Sequence, residues 1–164
     1  MTALERVELK IFTMQQLQYR LHVWRFKGQK IVFTNGCFDL LHFGHFHTLT
    51  QAADHGQVLV VGLNSDASVK LLKGDKRPIQ SQQTRALLLA SLSYVSAVII
   101  FDEETPYRLI SEIQPDVLVK GGDYTKEQIV GSDIVTQNGG EVVIVPYLQG
   151  YSTTGMLGEV ERGE

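Results

Sequence analysis

The chain has 164 residues, of which 43% are hydrophobic and 20% are charged, and its formal net charge is −3. This length and composition are typical of one globular domain with its own core, and the negative charge argues against duplex nucleic acid as the main partner. The single cysteine cannot form an internal disulfide, and no apolar run approaches the roughly 20 residues that cross a bilayer, so we expect a cytoplasmic protein with no membrane partner.

The first half of the chain predicts one helix followed by alternating strands and helices. Apolar residues recur at helical spacing after Thr13, a good N-cap, and Gly28 is a good stop signal. Two short, continuous apolar runs predict buried strands. In chain order the predicted elements are helix 13–27, strand 30–34, helix 44–56, strand 57–64 and a helix that opens at Ser65 or Asp66.

A charged loop with glycine and proline, residues 73–81, interrupts both periods before the second half. Three further apolar runs predict strands, and helical spacing recurs between them. The predicted elements are helix 82–95, strand 97–101, helix 105–114, strand 115–120, strand 141–146 and a short helix that begins near Ser152.

The five predicted strands are apolar throughout and do not alternate, which indicates a parallel sheet covered on both faces. Because strands and helices alternate along the chain, the predicted fold class is α/β, with a doubly wound parallel five-stranded sheet. We expect a single domain over residues 1–164, with an N-terminal helical extension at 1–27 and an α/β core at 28–164.

Polar segments that contain glycine or serine follow four of the predicted strands. They are NGCFDLLHFGH after the first, NSD after the second, KGGDY after the fourth and LQGYSTT after the fifth. Ligands of open parallel sheets bind beyond the carboxyl ends of the strands. The sequence therefore predicts one site there, with Asn64, Asp66, Lys120, Gly121 and Asp123 among its candidates.

His42 and His45 are separated by Phe43 and Gly44 at the start of a predicted helix. A zinc site would need three or four protein ligands, and no other Cys or His pair supplies them. Two satisfied histidines without a ligand are the plain alternative. An anion site at the helix N-terminus explains the glycine as well, because a missing Cβ lets a phosphate approach the first turn. We favour the anion site.

The other chemical candidates each have an ordinary structural explanation. Cys37 as a nucleophile would need a base and an orienting group, for which His42 and Asp39 are available, yet a lone cysteine after a buried strand is more often packing. Asp39 also fits a role in bracing the turn. Ser152, Thr153 and Thr154 fit an ordinary N-cap, and Lys73, Lys76 and Arg77 fit a solvated loop that could also close over a polyphosphate.

Four segments, in this order, resemble the cytidylyltransferase-like nucleotidyltransferase superfamily, whose signature is H-x-G-H with a C-terminal S-T-T. They are NGCFDLLHFGH, KGDKRP, TPYRLISEIQPDVLVKGGDY and GYSTT. DVLVKGGDY with STT makes the chain most similar to the D-glycero-β-D-manno-heptose 1-phosphate adenylyltransferases, the nucleotidyltransferase part of ADP-heptose synthases. The likeness covers roughly residues 28–160. Tyr147 stands where the cytidylyltransferases carry an arginine, which weakens a CTP-using interpretation.

This resemblance implies a Rossmann-like nucleotidyltransferase fold and transfer of AMP from ATP to heptose 1-phosphate, with pyrophosphate released, for lipopolysaccharide core synthesis. About 27 residues precede the first predicted strand, too few for the sugar kinase to which such domains are often fused, so we expect a stand-alone transferase. Alternatives are the same chemistry with another acceptor, such as glycerol 3-phosphate, or a non-catalytic nucleotide sensor.

The resemblance also implies roles for the candidate residues. The expected catalytic residues are His42, His45, Lys73, Ser152 and Thr153. The expected nucleotide-binding residues are Asn35, Gly36, Cys37, Phe38, Asp39, His42, Gly44, His45, Lys120, Gly121, Asp123, Ser152, Thr153 and Thr154. Lys73, Arg77, Asn64 and Asp66 are expected at the sugar phosphate. Mg²⁺ is expected to arrive with ATP, no metal ligand is assigned, and a homodimer is expected.

Overall fold

The computed structural model describes residues 1–148 and 150–151. Its elements in chain order are α1 Ala3–Glu8, β1 Ile11–Phe12, α2 Met14–Phe26, β2 Ile31–Gly36, α3 Phe43–Ala53, β3 Val58–Asn64, α4 Asp66–Lys73, α5 Gln82–Ser91, β4 Ala97–Phe101, α6 Tyr107–Ile113, β5 Val117–Gly121, a 3-10 turn at Lys126–Gln128, α7 Ser132–Gln137 and β6 Glu141–Val145. The predicted short helix near Ser152 lies outside the described residues.

The described strands form one parallel sheet in the order β1-β4-β3-β2-β5-β6. Strands β2 and β3 pair along their whole length, from Ile31 opposite Val58 to Gly36 opposite Leu63. From β2 the chain builds outward through β3 and β4 on one side, and then through β5 and β6 on the other. The order therefore reverses beside β2, which is where ligands bind in doubly wound sheets.

Alternate residues of each strand enter two separate cores, because successive side chains point to opposite faces. On one face, Ile31 and Phe33 pack with α2, α6 and α7, while Val32 faces the other core with α3 and α5. Both faces of the sheet are thus buried under helices. The predicted α/β class and doubly wound parallel sheet are confirmed. The strands are apolar throughout because helices cover both faces of the sheet, as predicted.

The sheet has six strands rather than the five predicted. The additional strand, β1, contains only Ile11 and Phe12, which pair with Val98 and Ile99 at the edge of the sheet. A pair of apolar residues has no measurable period, so the sequence pattern could not reveal it. The N-terminal helix agrees with the prediction, since Thr13 and Gln16 form a capping box at the start of α2.

Candidate functional site

A cavity of about 610 Å³ opens at the carboxyl ends of the strands, beside the point where the strand order reverses. Loops after β2, β3, β4, β5 and β6 all contribute to its wall. Most of the predicted site residues line it: Asn35, Gly36, Cys37, Phe38, Asp39, His42, Gly44, His45, Asn64, Lys73, Lys120 and Gly121. Segments that are far apart in the sequence therefore meet at one cavity, as expected for the carboxyl ends of parallel strands.

Several other predicted residues are not brought into the lining of the cavity. The Arg77 and Asp66 side chains are engaged in ion pairs with Asp39 and Arg85, and Asp123 is exposed outside the wall. Both charges are therefore paired within the protein. Ser152, Thr153 and Thr154 lie outside the described residues.

The two histidines stack at the N-terminus of α3. His42 is the N-cap, and its Nδ1 accepts a hydrogen bond of 3.1 Å from the Gly44 N–H. The rings of His42 and His45 lie with their centroids 3.8 Å apart and their planes at 23°. Since Nδ1 of His42 accepts, the proton of the neutral ring is on Nε2, which leaves that N–H as the donor for a ligand.

Two glycines set how closely the histidine turn packs. A Cβ on Gly44 would lie 3.0 Å from two ring atoms of His42 and 3.3 Å from Cβ of Tyr151. The His42 ring therefore packs closely against Gly44, and both residues line the cavity. A Cβ on Gly121 would lie 2.8 Å from Oγ1 of Thr48, so this glycine lets α3 pack against the end of β5.

Burial keeps both histidines neutral when no ligand is bound. Burial, followed by the neighbouring His42 and Lys73, lowers the pKa of His45 from 6.5 to about 4, although a backbone hydrogen bond with Leu40 acts in the opposite direction. Burial and then Lys73 also lower the pKa of His42. Two stacked neutral rings avoid the repulsion of two imidazolium ions, and a bound anion would raise both pKa values.

Lys120 adds a cation at the floor of the cavity. Burial lowers its pKa, and the neighbouring Cys37 acts in the opposite direction. Within the described residues, Lys120 forms no ion pair with a carboxylate. A partly buried ammonium without a counter-charge favours an anionic ligand, because such a ligand offsets the cost of its burial.

We expect the unliganded protein to lose stability as the pH falls from 6.5 towards 4. A histidine with a lowered pKa in the folded state binds more protons when unfolded, so the free energy of unfolding rises with pH across this window. For His45, with a pKa of about 4, linkage gives a loss of at most roughly 2 kcal/mol between neutral pH and about pH 5. Urea unfolding at a series of pH values measures it.

His45→Gln should flatten this pH dependence, because glutamine does not titrate. His47→Gln is the matched control, since His47 lies on the same helix outside the cavity and should leave the profile unchanged. If the free energy of unfolding of His45→Gln fell with pH as steeply as that of wild type, other groups would cause the loss of stability in acid.

Asp39 braces the charged loop rather than facing a ligand. Its carboxylate is 1% exposed and accepts hydrogen bonds from Nε of Arg77 at 2.6 Å and from the N–H groups of Ile79 and Gln80 at 2.8 and 3.0 Å. Burial alone would raise the pKa of Asp39, but these N–H groups and the Arg77 charge outweigh it and hold the pKa below its usual range. The bracing role weighed for Asp39 is therefore the one that the geometry supports.

Arg85 is the residue that the sequence analysis missed. It is 0% exposed, and its guanidinium donates to the carbonyls of Cys37, Asn64 and Gln80 at 2.6, 2.8 and 3.0 Å. It also donates to Asp66 at 2.7 Å. One side chain on α5 thus joins the loops after β2 and β3 to the charged loop. The only signal was an arginine directly before the apolar run ALLLA of α5.

Other cavity residues were also absent from the predictions. They are Thr34, Thr48, Leu72, Glu104, Thr105, Pro106, Tyr124, Val130, Tyr147, Leu148 and Tyr151. Tyr124 and Tyr147 come from the loops after β5 and β6, and Glu104 comes from the loop after β4. In the strand order these two tyrosines therefore follow strands on one side of β2, and Glu104 follows a strand on the other side.

Within residues 1–148 and 150–151, no group of three or more His, Cys, Asp or Glu side chains is arranged to hold a metal ion. No helix of this part of the chain is long and apolar enough to span a membrane. The donors that converge on the cavity are instead nitrogen groups: two imidazoles and two ammonium groups. Such a set suits phosphate oxygens better than a cation.

Residues 33–152 match the family model described as Cytidylyltransferase-like. A protein named Bifunctional protein HldE from Hyphomonas neptunium is 58% identical over 141 residues, which are 86% of this chain and 29% of that protein. A protein of the same name from Rhodopseudomonas palustris is 55% identical over 141 residues, with the same shares. The chain thus spans less than a third of the length of these relatives.

Two solved structures share the fold. The crystal structure of a lipopolysaccharide core biosynthesis protein from Thermoplasma volcanium has a TM-score of 0.59 and 28% identity, and the match covers 76% of this chain and 100% of that one. Pantoate-beta-alanine ligase from Francisella tularensis has a TM-score of 0.63 and 17% identity, over 85% of this chain and 67% of that one. At that identity the second likeness concerns the fold alone.

Proposed function

The chain belongs to the cytidylyltransferase-like family, and on that premise we propose that it is an adenylyltransferase. It transfers AMP from ATP to D-glycero-β-D-manno-heptose 1-phosphate and releases ADP-heptose and pyrophosphate, a step of lipopolysaccharide core synthesis. The likeness to the lipopolysaccharide core biosynthesis protein from Thermoplasma volcanium supports the assignment to this pathway, and the heptose acceptor follows from the resemblance of DVLVKGGDY and STT to the heptose 1-phosphate adenylyltransferases.

The observation that carries the proposal is the grouping of donors around one cavity. His42, His45, Lys73 and Lys120 line it together, on three segments that are far apart in the sequence. A triphosphate and a sugar phosphate bring several negative charges, and these four side chains offer nitrogen donors to them. A site with this balance suits phosphoryl and nucleotidyl transfer better than acid–base chemistry on a neutral substrate.

The reaction needs no covalent enzyme intermediate. An oxygen of the sugar phosphate attacks the α-phosphorus of ATP, a new P–O bond forms, and the bond to the bridging oxygen breaks so that pyrophosphate leaves with the electron pair. Catalysis then consists of holding the two phosphates in line and stabilising the charge that develops on the α-phosphate oxygens.

The histidines serve this step as hydrogen-bond donors. The Nε2–H of His42 is left for the ligand because Nδ1 is occupied by Gly44, and His45 stacks against it. Approach of the phosphates raises the pKa of both rings, so the pair gains positive charge while negative charge builds up in the transition state. Lys120 binds the nucleotide phosphates, and Lys73 binds the acceptor phosphate or the departing pyrophosphate.

Mg²⁺ is proposed to enter as the complex with ATP. The described cavity wall is rich in nitrogen donors, whereas Mg²⁺ prefers oxygen ligands and keeps several waters. This donor set fits an ion that is held chiefly by the triphosphate. The ion would neutralise phosphate charge, while the chain's own residues position the reactants.

We also propose a homodimer in the cytoplasm. The single cysteine suits a reducing compartment. The exposed apolar side chains of Phe43 and Phe46 on α3 and Leu88 on α5 offer a surface for a second copy. Light scattering of the purified chain tests the oligomeric state.

The decisive test is pyrophosphate release across a grid of nucleotides and acceptors. ATP and CTP are each combined with heptose 1-phosphate, glycerol 3-phosphate and a hexose 1-phosphate. We expect the highest kcat/KM for ATP with heptose 1-phosphate. A preference for CTP or glycerol 3-phosphate would assign the alternative transferase, and nucleotide binding without any pyrophosphate release would assign a sensor.

Lys73→Ala should lower kcat/KM for the acceptor by roughly tenfold or more, because a hydrogen bond from a charged donor to phosphate is lost. Steady-state pyrophosphate release measures it. The matched control is Lys76→Ala, which removes an equal charge three residues away from a side chain outside the cavity wall. Equal losses in both variants would mean that the loop acts only through its general positive field.

A further inference from the structure

We propose that Glu104 accepts hydrogen bonds from hydroxyl groups of the acceptor sugar and so helps to select the acceptor. This inference rests on the proposed function and deepens it, because it assigns a residue to the part of the acceptor that is not phosphate. Glu104 follows β4 and lines the cavity beside Thr105.

Glu104 is the carboxylate of the described cavity wall that is left for a ligand. The only other one in that wall is Asp39, whose oxygens already accept from Arg77, Ile79 and Gln80. Glu104 is exposed, and within the described residues it makes no ion pair. Its neighbour Glu103 points elsewhere, since its carboxylate pairs with Arg108 at 3.5 Å.

A carboxylate is out of keeping with the rest of this cavity. Four lining side chains, His42, His45, Lys73 and Lys120, carry nitrogen donors. Such donors suit phosphates, whereas a carboxylate repels them. Glu104 therefore needs a ligand that donates hydrogen bonds. Sugar hydroxyls are such donors, and one carboxylate has two oxygens with which to accept from adjacent hydroxyls.

The place of Glu104 in the sheet fits the sugar better than the metal ion. Strand β4 lies two strands from β2, which is roughly 10 Å at the usual strand spacing. Mg²⁺ on the triphosphate is only about 2 Å from its oxygen ligands, so a carboxylate after β4 is better placed for the sugar than for the ion. Tyr124 and Tyr147 lie on the opposite side, after β5 and β6, and they offer faces for a base. The two reactants can thus extend to opposite ends of the cavity from the reacting phosphates.

The backbone holds the Glu104 loop in place without help from its side chain. Oγ of Ser68 donates to the Glu103 carbonyl at 3.0 Å, and the Ser65 N–H donates to the Phe101 carbonyl at 2.9 Å. The loop after β4 is therefore fixed to the start of α4 before any ligand binds. A fixed backbone limits the positions that the Glu104 carboxylate can reach, and selection by hydroxyl position requires such a limit.

The test compares Glu104→Gln and Glu104→Ala with wild type in pyrophosphate release from ATP and heptose 1-phosphate. We expect KM for heptose 1-phosphate to rise by roughly tenfold in Glu104→Gln and further in Glu104→Ala, because charge-assisted hydrogen bonds to hydroxyls are weakened or lost. KM for ATP should stay within about twofold, since the ATP contacts lie elsewhere. Glu103→Gln is the matched control and should behave as wild type.

An unchanged KM for heptose 1-phosphate in both Glu104 variants would overturn the proposal. A shift in the Mg²⁺ concentration needed for half-maximal rate, together with KM for ATP, would also overturn it and make Glu104 a cation ligand. Wild-type chain without any activity on heptose 1-phosphate would instead contradict the proposed function, and this inference with it. The first two results leave the adenylyltransferase assignment intact.

Discussion

Replacing His45 by alanine should lower kcat by at least about 10²-fold, the scale observed when one transition-state donor is removed. The His45 ring is stacked on His42 and is neutral without ligand, with a pKa of about 4. Its strongest interaction is therefore expected where phosphate charge is greatest, in the transition state. KM for ATP should change much less than kcat, and steady-state kinetics with both substrates separates the two effects.

The fold of this variant should hold, because a half-buried polar ring with an unfavourable burial cost is removed. His47→Ala, on the same helix but outside the cavity, controls for the loss of any histidine from α3. The two stacked histidines should also behave as one unit: the loss in the His42→Ala/His45→Ala double variant is expected to be smaller than the product of the single losses. A folded His45→Ala protein with near-normal turnover would contradict the role assigned to the motif.

The sheet was predictable because its strands are short apolar runs with both faces buried. Strand 97–101 was predicted with the bounds that β4 has, and the other four predicted strands differ by one or two residues at their ends. The elements that were missed have weaker patterns. Strand β1 has two residues and α7 has six, so each depends on its contacts with the rest of the protein rather than on a period of its own. Helix α1 also has six residues and buries none of them, and its local signal is the capping box of Thr2 and Glu5.

The convergence of the strand-end segments on one cavity was predictable, but the pairing of charges around it was not. Strand ends that converge in a parallel sheet identified the segments of Asn64, Lys73 and Lys120 from sequence alone. Whether a charged side chain faces a ligand or another side chain depends on three-dimensional contacts. Arg77 and Asp66 each form an ion pair within the protein, and no sequence pattern distinguishes them from Lys73.

Arg85→Met should lower the free energy of unfolding by about 3–5 kcal/mol, the range for breaking a buried charged network. Methionine fills a similar volume, so lost hydrogen bonds rather than a cavity dominate the cost. The carbonyls of Cys37 and Asn64 would lose their donor from α5, and an unsatisfied buried acceptor costs about 1–3 kcal/mol. Because small domains are stable by only about 5–15 kcal/mol, urea unfolding resolves this loss readily.

Asp66→Asn separates the ion pair from the carbonyl contacts of Arg85. The Asp66 side chain is 37% exposed, but its partner Arg85 is fully buried, so losing the Asp66 charge should cost about 1–3 kcal/mol. Arg85→Met should cost more, because it also removes the contacts to the buried loops. Arg85→Lys keeps the charge but reaches fewer acceptors, since guanidinium has several donors in a fixed plane and ammonium is a point charge. We expect the stability of Arg85→Lys to lie between those of Arg85→Met and Asp66→Asn. ATP binding by Arg85→Lys should be weaker than in wild type, because the Cys37 loop is held less firmly. Equal stability of Arg85→Met and Asp66→Asn would mean that the loops at the strand ends are positioned without Arg85.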